Sequence, residues 1–443
     1  MRYYLLSLGC CKNTVDSEGM SRLLQQAGHA PVEQPAAADV LIVNTCGFID
    51  IAREESYDAL RELAEGQRPG QLLIAAGCLS QRYGRRLIEQ VPGLDGILGT
   101  RRWMEITALV ERLATDGSRP LVMVGDPPVP PQIGEEREDA PRYAVQGASA
   151  YLKIAEGCSA PCAFCAIPLI KGPARSRPME AIVDEARHLV AQGVKEIILI
   201  AQDTTAYGHD LGRYDALADL IEAILKAVPK LPWLRLMYAY PQHITPRLIA
   251  VMAQHPQVCH YLDIPLQHAH PDTLRRMNRP HNVDMVRRLI AHLRQAMPDI
   301  ALRTAFIVGY PGETEEEFQT LLEFVEEIAF DRVGVFTYSR EEGTPAADLP
   351  DQIPDHIKEE RYHRLMELQQ GISLVRNQQM IGCTLEVLIE GSGDGLSVGR
   401  SYRDAPEVDG LVIVQEELSV GEMVPVLITG AMEYDLIGER EGK

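Results

Sequence analysis

The sequence predicts an α/β chain in three parts: an N-terminal α/β parallel-sheet domain, a central partial (β/α)6 barrel, and a small all-β C-terminal barrel of the OB type. Apolar strand-like runs alternate with amphipathic helical ones along most of the chain, which is the pattern of βαβ units. Six units in the central part are too few to close an eight-fold barrel. After residue 381 the pattern changes to short alternating strands punctuated by glycine. The 443 residues are 46% hydrophobic and 24% charged, an ordinary globular composition, and suffice for about three domains with their own cores.

Residues 1–125 are expected to form the first domain. Apolar runs at 3–8, 40–43 and 72–76 each lead into a cysteine: Cys10, Cys46 and Cys78. Helix-like stretches follow at 16–27, 50–65 and 80–91. The carboxyl ends of parallel strands share one edge of a sheet, so three cysteines far apart in sequence become neighbours. A three-thiolate cluster site is one reading of that edge; three buried apolar cysteines that happen to end strands is the other.

Residues 126–142 begin Asp-Pro-Pro-Val-Pro-Pro, continue into an acidic run, and read as a linker. From 143 to 375, strand-like runs recur at 151–155, 196–201, 234–238, 261–264, 301–308 and 332–338. Barrels of this kind keep their chemistry at the carboxyl ends of the strands. Just past the first strand lies Cys158-Ser159-Ala160-Pro161-Cys162-Ala163-Phe164-Cys165. Three thiolates on one tight loop suit a four-iron cubane and leave one iron open to a chelating amine and carboxylate. A structural zinc would require a fourth ligand, and the neighbouring sequence offers none. Gln202, Asp203, Asp263, Gln267 and residues 309–314 follow other strands, with Thr314 and Glu317 spaced as a capping box. His268 and His270, beside Pro271, read as loop hydrogen-bonders.

A connecting helix is expected over 354–380, and five short strands lie within 384–438. Residues 376–443 hold five Lys+Arg against thirteen Asp+Glu, and the whole chain carries a formal charge of -20. Such a surface repels phosphate backbones and favours a basic protein partner, so RNA binding is not expected. Nine scattered cysteines point to thiol or metal chemistry in a reducing cytoplasm. No apolar run approaches the roughly 18 residues of a membrane span, and a monomer is expected.

The cysteine loop, with Phe164 before its last thiol, resembles the signature of the radical S-adenosylmethionine (SAM) superfamily. That resemblance implies a TIM-like radical SAM barrel whose 4Fe-4S cluster, on Cys158, Cys162 and Cys165, cleaves SAM to a 5'-deoxyadenosyl radical. It also puts Phe164, Gln202, Ile307 and Gly309 where such enzymes contact SAM. Leu-Gly-Cys-x-Lys-Asn-x-Val-Asp-Ser-Glu, Asn-Thr-Cys-Gly-Phe-Ile and Gly-Cys-Leu-Ser-Gln-Arg-Tyr are similar to the N-terminal motifs of the methylthiotransferases. They imply an auxiliary 4Fe-4S cluster on Cys10, Cys46 and Cys78. Cys11 stands where that family usually has proline; the motif register assigns the ligand to Cys10.

Leu-Lys-Ile-Ala-Glu-Gly-Cys, Leu-Asp-Ile-Pro-Leu-Gln-His-Ala, Arg-Met-Asn-Arg-Pro and Phe-Thr-Tyr-Ser-Arg-Glu-Glu-Gly-Thr-Pro-Ala narrow the resemblance to one branch. That branch methylthiolates the β-carbon of an aspartate in the twelfth small-subunit ribosomal protein, and its C-terminal barrel is a TRAM domain. It uses SAM both as methyl donor and as radical source, and it depends on sulfur and electron donors. The competing expectations are a tRNA methylthiotransferase, which requires a basic RNA surface, and a non-enzymatic iron-sulfur protein.

Overall fold

The computed structural model describes residues 1–115, 119–126, 140 and 142–442. Residues 127–139 and 141 of the expected linker lie outside the described residues.

The N-terminal sheet is wholly parallel. Its strands are β1 (Arg2–Ser7), β2 (Ala30–Pro31), β3 (Val40–Thr45), β4 (Leu72–Gly77), β5 (Gly96–Gly99) and β6 (Leu121–Met123), in the order β2-β1-β3-β4-β5-β6. β3 and β4 are buried throughout because both faces are covered. Met20, Leu24, Trp103 and Leu109 pack on one face, and Tyr57, Leu60, Leu79 and Leu87 on the other. β2, β5 and β6 have two to four residues each, too few to show a period in the sequence.

Helix α1 (Cys11–Gln26) starts earlier than its apolar pattern, with Cys10 as N-cap, and α2 (Asp50–Glu65) falls where expected. The helix expected at 80–91 is broken at Gly84 into α3 (Cys78–Tyr83) and a short helix Arg86–Gln90. Register pairs Ser7 with Asn44 and Thr45 with Gly77, so the cysteine-bearing strand ends stand level. Gly77 (φ 98°) makes this possible, since a Cβ there would lie 2.3 Å from Asn44 Oδ1 and 2.6 Å from the Thr45 carbonyl oxygen.

The central part opens with an antiparallel hairpin that the sequence did not signal, β7 (Tyr143–Gln146) and β8 (Ser149–Lys153). After β8 the chain turns away, and a short pair, β9 (Ala155–Glu156) with β10 (Arg175–Ser176), closes the base of the cysteine loop. β8 is followed in parallel by β11 (Glu196–Ile200) and β12 (Trp233–Leu236), and a second sheet holds β13 (Tyr261–Asp263), β14 (Ala301–Val308) and β15 (Arg332–Thr337). A bridge between Leu234 and Val258 links the two sheets, so six parallel strands form an open barrel. Alternation assigns their faces: Ile197 and Leu199 pack with the outer helices, whereas Ile198 and Ile200 join a separate core with Tyr151, Trp233 and Tyr261.

The connecting helix, Asp355–Gln378, runs three residues past the expected boundary at 375. It leads into β16 (Thr384–Gly393), β17 (Leu396–Ser401), β18 (Val412–Val414), β19 (Met423–Ala431) and β20 (Leu436–Arg440), which close as a barrel in the order β16-β17-β18-β20-β19. This module is bound to the central strands through buried charge. Glu196 of β11 takes both Arg235 of β12 (2.7 Å) and Arg400 of β17 (2.6 Å). Arg403 reaches Asp331 (2.7 Å), Arg332 reaches Asp404 (2.8 Å), and the Tyr261 hydroxyl donates to Asp409 (2.7 Å). Leu388 and Ala405 from the module, with Cys11 and Val15 from α1, complete the inner core of the open barrel. Three parts therefore share one interior.

Candidate functional site

All six expected cysteine ligands line one cavity of about 1260 Å³. Cys10 caps α1, Cys46 follows β3 and Cys78 opens α3, while Cys158, Cys162 and Cys165 lie on the loop after β9. None of the nine cysteines is in a disulfide. The N-terminal triad is assembled by its neighbours. Asn13 donates to the carbonyls of Leu8 and Thr45 (3.0 Å each) and accepts from Cys78 Sγ (3.4 Å), which ties all three loops together. Gly9 (φ 88°) lets two loops touch, because a Cβ there would stand 2.7 Å from Cys46 Cβ. Cys11 points elsewhere: it is buried, its Sγ is 3.5 Å from the Tyr238 hydroxyl, and it does not line the cavity.

The donor set fits iron-sulfur clusters better than a lone ion. Among the described residues, only His270, Asp272 and Glu317 bring three candidate ligand atoms within 4.8 Å of one another. Neither thiol triad is drawn so tight, whereas one tetrahedral zinc would hold its sulfurs roughly 3.8 Å apart. Burial pushes the thiols of Cys78 and Cys165 up to about 12 and raises those of Cys46 and Cys158. Thiols raised in this way are neutral at physiological pH, and a metal bound to them would have to displace their protons. His270, Asp272 and Glu317 already serve the fold, since His270 caps a helix and Glu317 pairs with Arg276 (2.6 Å).

Of the expected SAM-contacting residues, Phe164, Gln202 and Ile307 line the cavity. Gly309 does not: its amide donates to Glu313 Oε2, and Lys358 covers it so closely that a Cβ would lie 2.3 Å from Lys358 Cγ. The capping box of Thr314 and Glu317 is present. His268 is buried with Nε2 2.9 Å from Glu313, and His270 donates its amide to His268 Nδ1, so both act as loop hydrogen-bonders. Asp263 holds Arg303 (2.8 Å), and Asp203 holds His243 (2.8 Å).

Several cavity residues escaped the sequence reading. Lys12, Tyr238, Arg279, Arg303 and residues 336–341 all line it. The motifs themselves were the available signal: Leu-Gly-Cys-x-Lys-Asn contains Lys12, Phe-Thr-Tyr-Ser-Arg-Glu spans 336–341, and Arg-Met-Asn-Arg-Pro contains Arg279 and braces the cysteine loop. Met277 accepts from the Ala163 amide (2.9 Å), Asn278 donates to the Pro161 carbonyl (2.8 Å), and Arg279 Nη1 stands 3.6 Å from Cys162 Sγ. Two charge clusters hold the N-terminal domain against the barrel. Asp16 receives Lys153 (2.5 Å) and Lys171 (2.9 Å), and Glu341 receives Arg82 (2.6 Å) and Arg53 (3.5 Å). Burial alone would lower the Lys171 ammonium, but Asp16 and Glu156 outweigh it and keep it charged beside Cys78.

Comparison with known proteins agrees with this architecture. Residues 152–325 match the Radical SAM superfamily, residues 2–99 a family described as Uncharacterized protein family UPF0004, and residues 381–440 the TRAM domain. The fold is shared with the radical S-adenosylmethionine methyltransferase TsrM from Kitasatospora setae, at TM-score 0.56 and 14% identity over 90% of this chain and 77% of that one. It is also shared with the cobalamin-dependent S-adenosylmethionine radical enzyme OxsB, at TM-score 0.53 and 14% identity over 84% and 56%. Fold, cysteine loop and family match together define a radical SAM enzyme.

Full-length relatives narrow the class. Proteins named ribosomal protein uS12 methylthiotransferase RimO from Roseiflexus sp. (strain RS-1) and Chloroflexus aurantiacus are each 52% identical, covering 99% of this chain and 97% and 99% of theirs. The protein of that name from Desulforamulus reducens is 49% identical over 98% of each chain. The chain belongs to the RimO family of radical SAM methylthiotransferases.

Proposed function

We propose that this protein methylthiolates the β-carbon of an aspartate in ribosomal protein uS12, with SAM as methyl donor and as source of the 5'-deoxyadenosyl radical. The observation that carries this reading is the convergence of two thiol triads on one cavity. Cys158, Cys162 and Cys165 would hold the 4Fe-4S cluster at which SAM binds, and Cys10, Cys46 and Cys78 an auxiliary 4Fe-4S cluster. Bound there, these groups supply the radical that takes hydrogen from carbon and the sulfur and methyl group that replace it.

The chain's own residues bind, orient and exclude water. Phe164, Gln202 and Ile307 offer SAM apolar and amide contacts, and Arg279 supplies a buried cation beside Cys162. Residues 1–125 carry the auxiliary cluster, 143–375 the radical chemistry and 376–443 the TRAM domain, with 126–142 as linker. Sulfur and electrons come from donor partners, and the protein works in the cytoplasm; no described helix is long and apolar enough to cross a membrane.

A basic protein substrate suits this surface better than tRNA. Arg400 and Arg403 are buried in ion pairs, and Arg376 is bonded to the Ala329 carbonyl (2.7 Å). Among the described residues from 376 on, that leaves Arg440 as the exposed cation.

Reconstituted protein supplied with SAM, reductant, a sulfur source and uS12 is expected to add one methylthio group to a single aspartate, read by intact and fragment mass. Cys46→Ala should abolish that product as fully as Cys158→Ala does. A Cys46→Ala enzyme with full activity would overturn the two-cluster reading.

A further inference from the structure

Among the described residues, one buried cation in the cavity has no anion bonded to it. Lys12 is 6% exposed, lines the cavity, and holds its ammonium 3.0 Å from the centre of the Tyr238 ring. Among the described residues, no carboxylate, carbonyl or hydroxyl oxygen is bonded to it. The neighbouring cations are engaged. Lys171 reaches Asp16 (2.9 Å), Arg303 reaches Asp263 (2.8 Å) and Lys358 reaches Asp355 (3.0 Å). Arg279 donates to the Pro265 carbonyl beside the other triad, and Arg340 is exposed, with its Nε on the Ala347 carbonyl (2.8 Å).

Local physics disfavours a lysine in this place. Lys12 lies in the first turn of α1, where the helix dipole and free amides favour an anion, and that turn contains no acidic residue. Taking an ammonium out of water is costly unless an anion joins it, and the face of a tyrosine recovers only part of the loss. A cation held so in a ligand-sized cavity is prepared for a negatively charged guest.

We propose that Lys12 binds the side-chain carboxylate of the substrate aspartate, an inference that rests on the function proposed above. The reacting β-carbon is bonded directly to that carboxylate, so anchoring one places the other. Lys12 is two residues from Cys10, which puts the anchor on the wall that carries the N-terminal triad. Three ammonium donors can serve either carboxylate oxygen, whereas an asparagine in the same position brings an amide without charge. Lys12 thus selects aspartate over its neutral isostere.

The test uses the full-length reconstituted protein with uS12 and with uS12 whose target aspartate is changed to asparagine. Mass gain on uS12 with the unaltered enzyme is the first arm, and its failure removes the parent reading irrespective of Lys12. Equilibrium binding is the second. The unaltered enzyme should prefer the aspartate form by roughly 10-fold or more, the weight of one charge-assisted hydrogen bond. Lys12→Met should retain full iron content, lose that preference, and bind the asparagine form as before; Lys12→Arg should restore part of the preference. If Lys12→Met still prefers aspartate, Lys12 is not the anchor. If it loses iron, Lys12 is instead a counter-ion for the N-terminal thiols, and the proposal falls.

Discussion

Cys10 and Cys11 are chemically identical neighbours that the fold sends to opposite sides of a wall. Cys10 faces the cavity, while Cys11 is 5% exposed in the core that α1 shares with the barrel. On reconstitution Cys10→Ala should therefore lose about half of the iron, because one of two three-thiol sites is broken, and Cys11→Ala should keep all of it. Iron analysis with the visible absorption spectrum distinguishes the two. Cys10, Cys46 and Cys78 were legible because each follows a strand, and strand ends can be read from local periodicity; Cys158, Cys162 and Cys165 were legible from their spacing on one loop. Lys12 and Arg279 were not, because their significance lies in the bonds they make or lack after folding. A lysine two places after a cysteine looks the same in sequence whether it is solvated or sealed against Tyr238. That Gly309 stands outside the cavity lining was hidden for a similar reason, since Lys358, which covers it, belongs to a helix much later in the chain.

Between elements, the ion pairs that join β11, β12 and β17 have the largest consequence. Burial opposes the charge on Glu196, but Arg235 and Arg400 outweigh it and hold its carboxyl down to about 2, from an ordinary 4.5. A depressed carboxyl stabilises the fold in full above its unfolded value and loses that contribution as pH falls through its folded one. The expected contribution is about 3 kcal/mol, present above pH 4.5 and lost toward pH 2. Peptic cleavage of the connection before β16 should increase across that window. Glu196→Gln leaves two buried guanidinium groups without their shared carboxylate, and should lower stability at neutral pH by about 3–5 kcal/mol, measured by denaturant unfolding. The strands on both sides of this junction were visible in the sequence, whereas the junction itself was not. Arg400 and Arg403 sit in a predominantly acidic stretch, where charges read as a solvated face.

At the scale of the whole molecule, the protein carries a charge of -20, and the basic residues of its C-terminal barrel are mostly engaged, which supports the proposed basic protein substrate over tRNA. Its affinity for tRNA at low salt should not exceed non-specific binding, while association with uS12 should slow by roughly 10-fold or more as salt is raised. Filter binding and stopped-flow mixing measure these. The three-part plan was legible because the periods of helix and strand are local properties of a chain. The cavity was not, because its walls come from segments hundreds of residues apart. Val408 of the C-terminal module lines it, and Leu388 and Ala405 fill the barrel interior beneath. That arrangement gives biosynthesis a timetable. All six cavity cysteines lie within the first 165 residues, so they are made long before the later residues that wall them in. If the thiols hold iron as proposed, their loops should be accessible to a metal carrier before the second half of the protein has been made. A chain halted before residue 388 would own all six cavity cysteines and still lack Leu388, Ala405 and Val408, which complete the surroundings of the cavity.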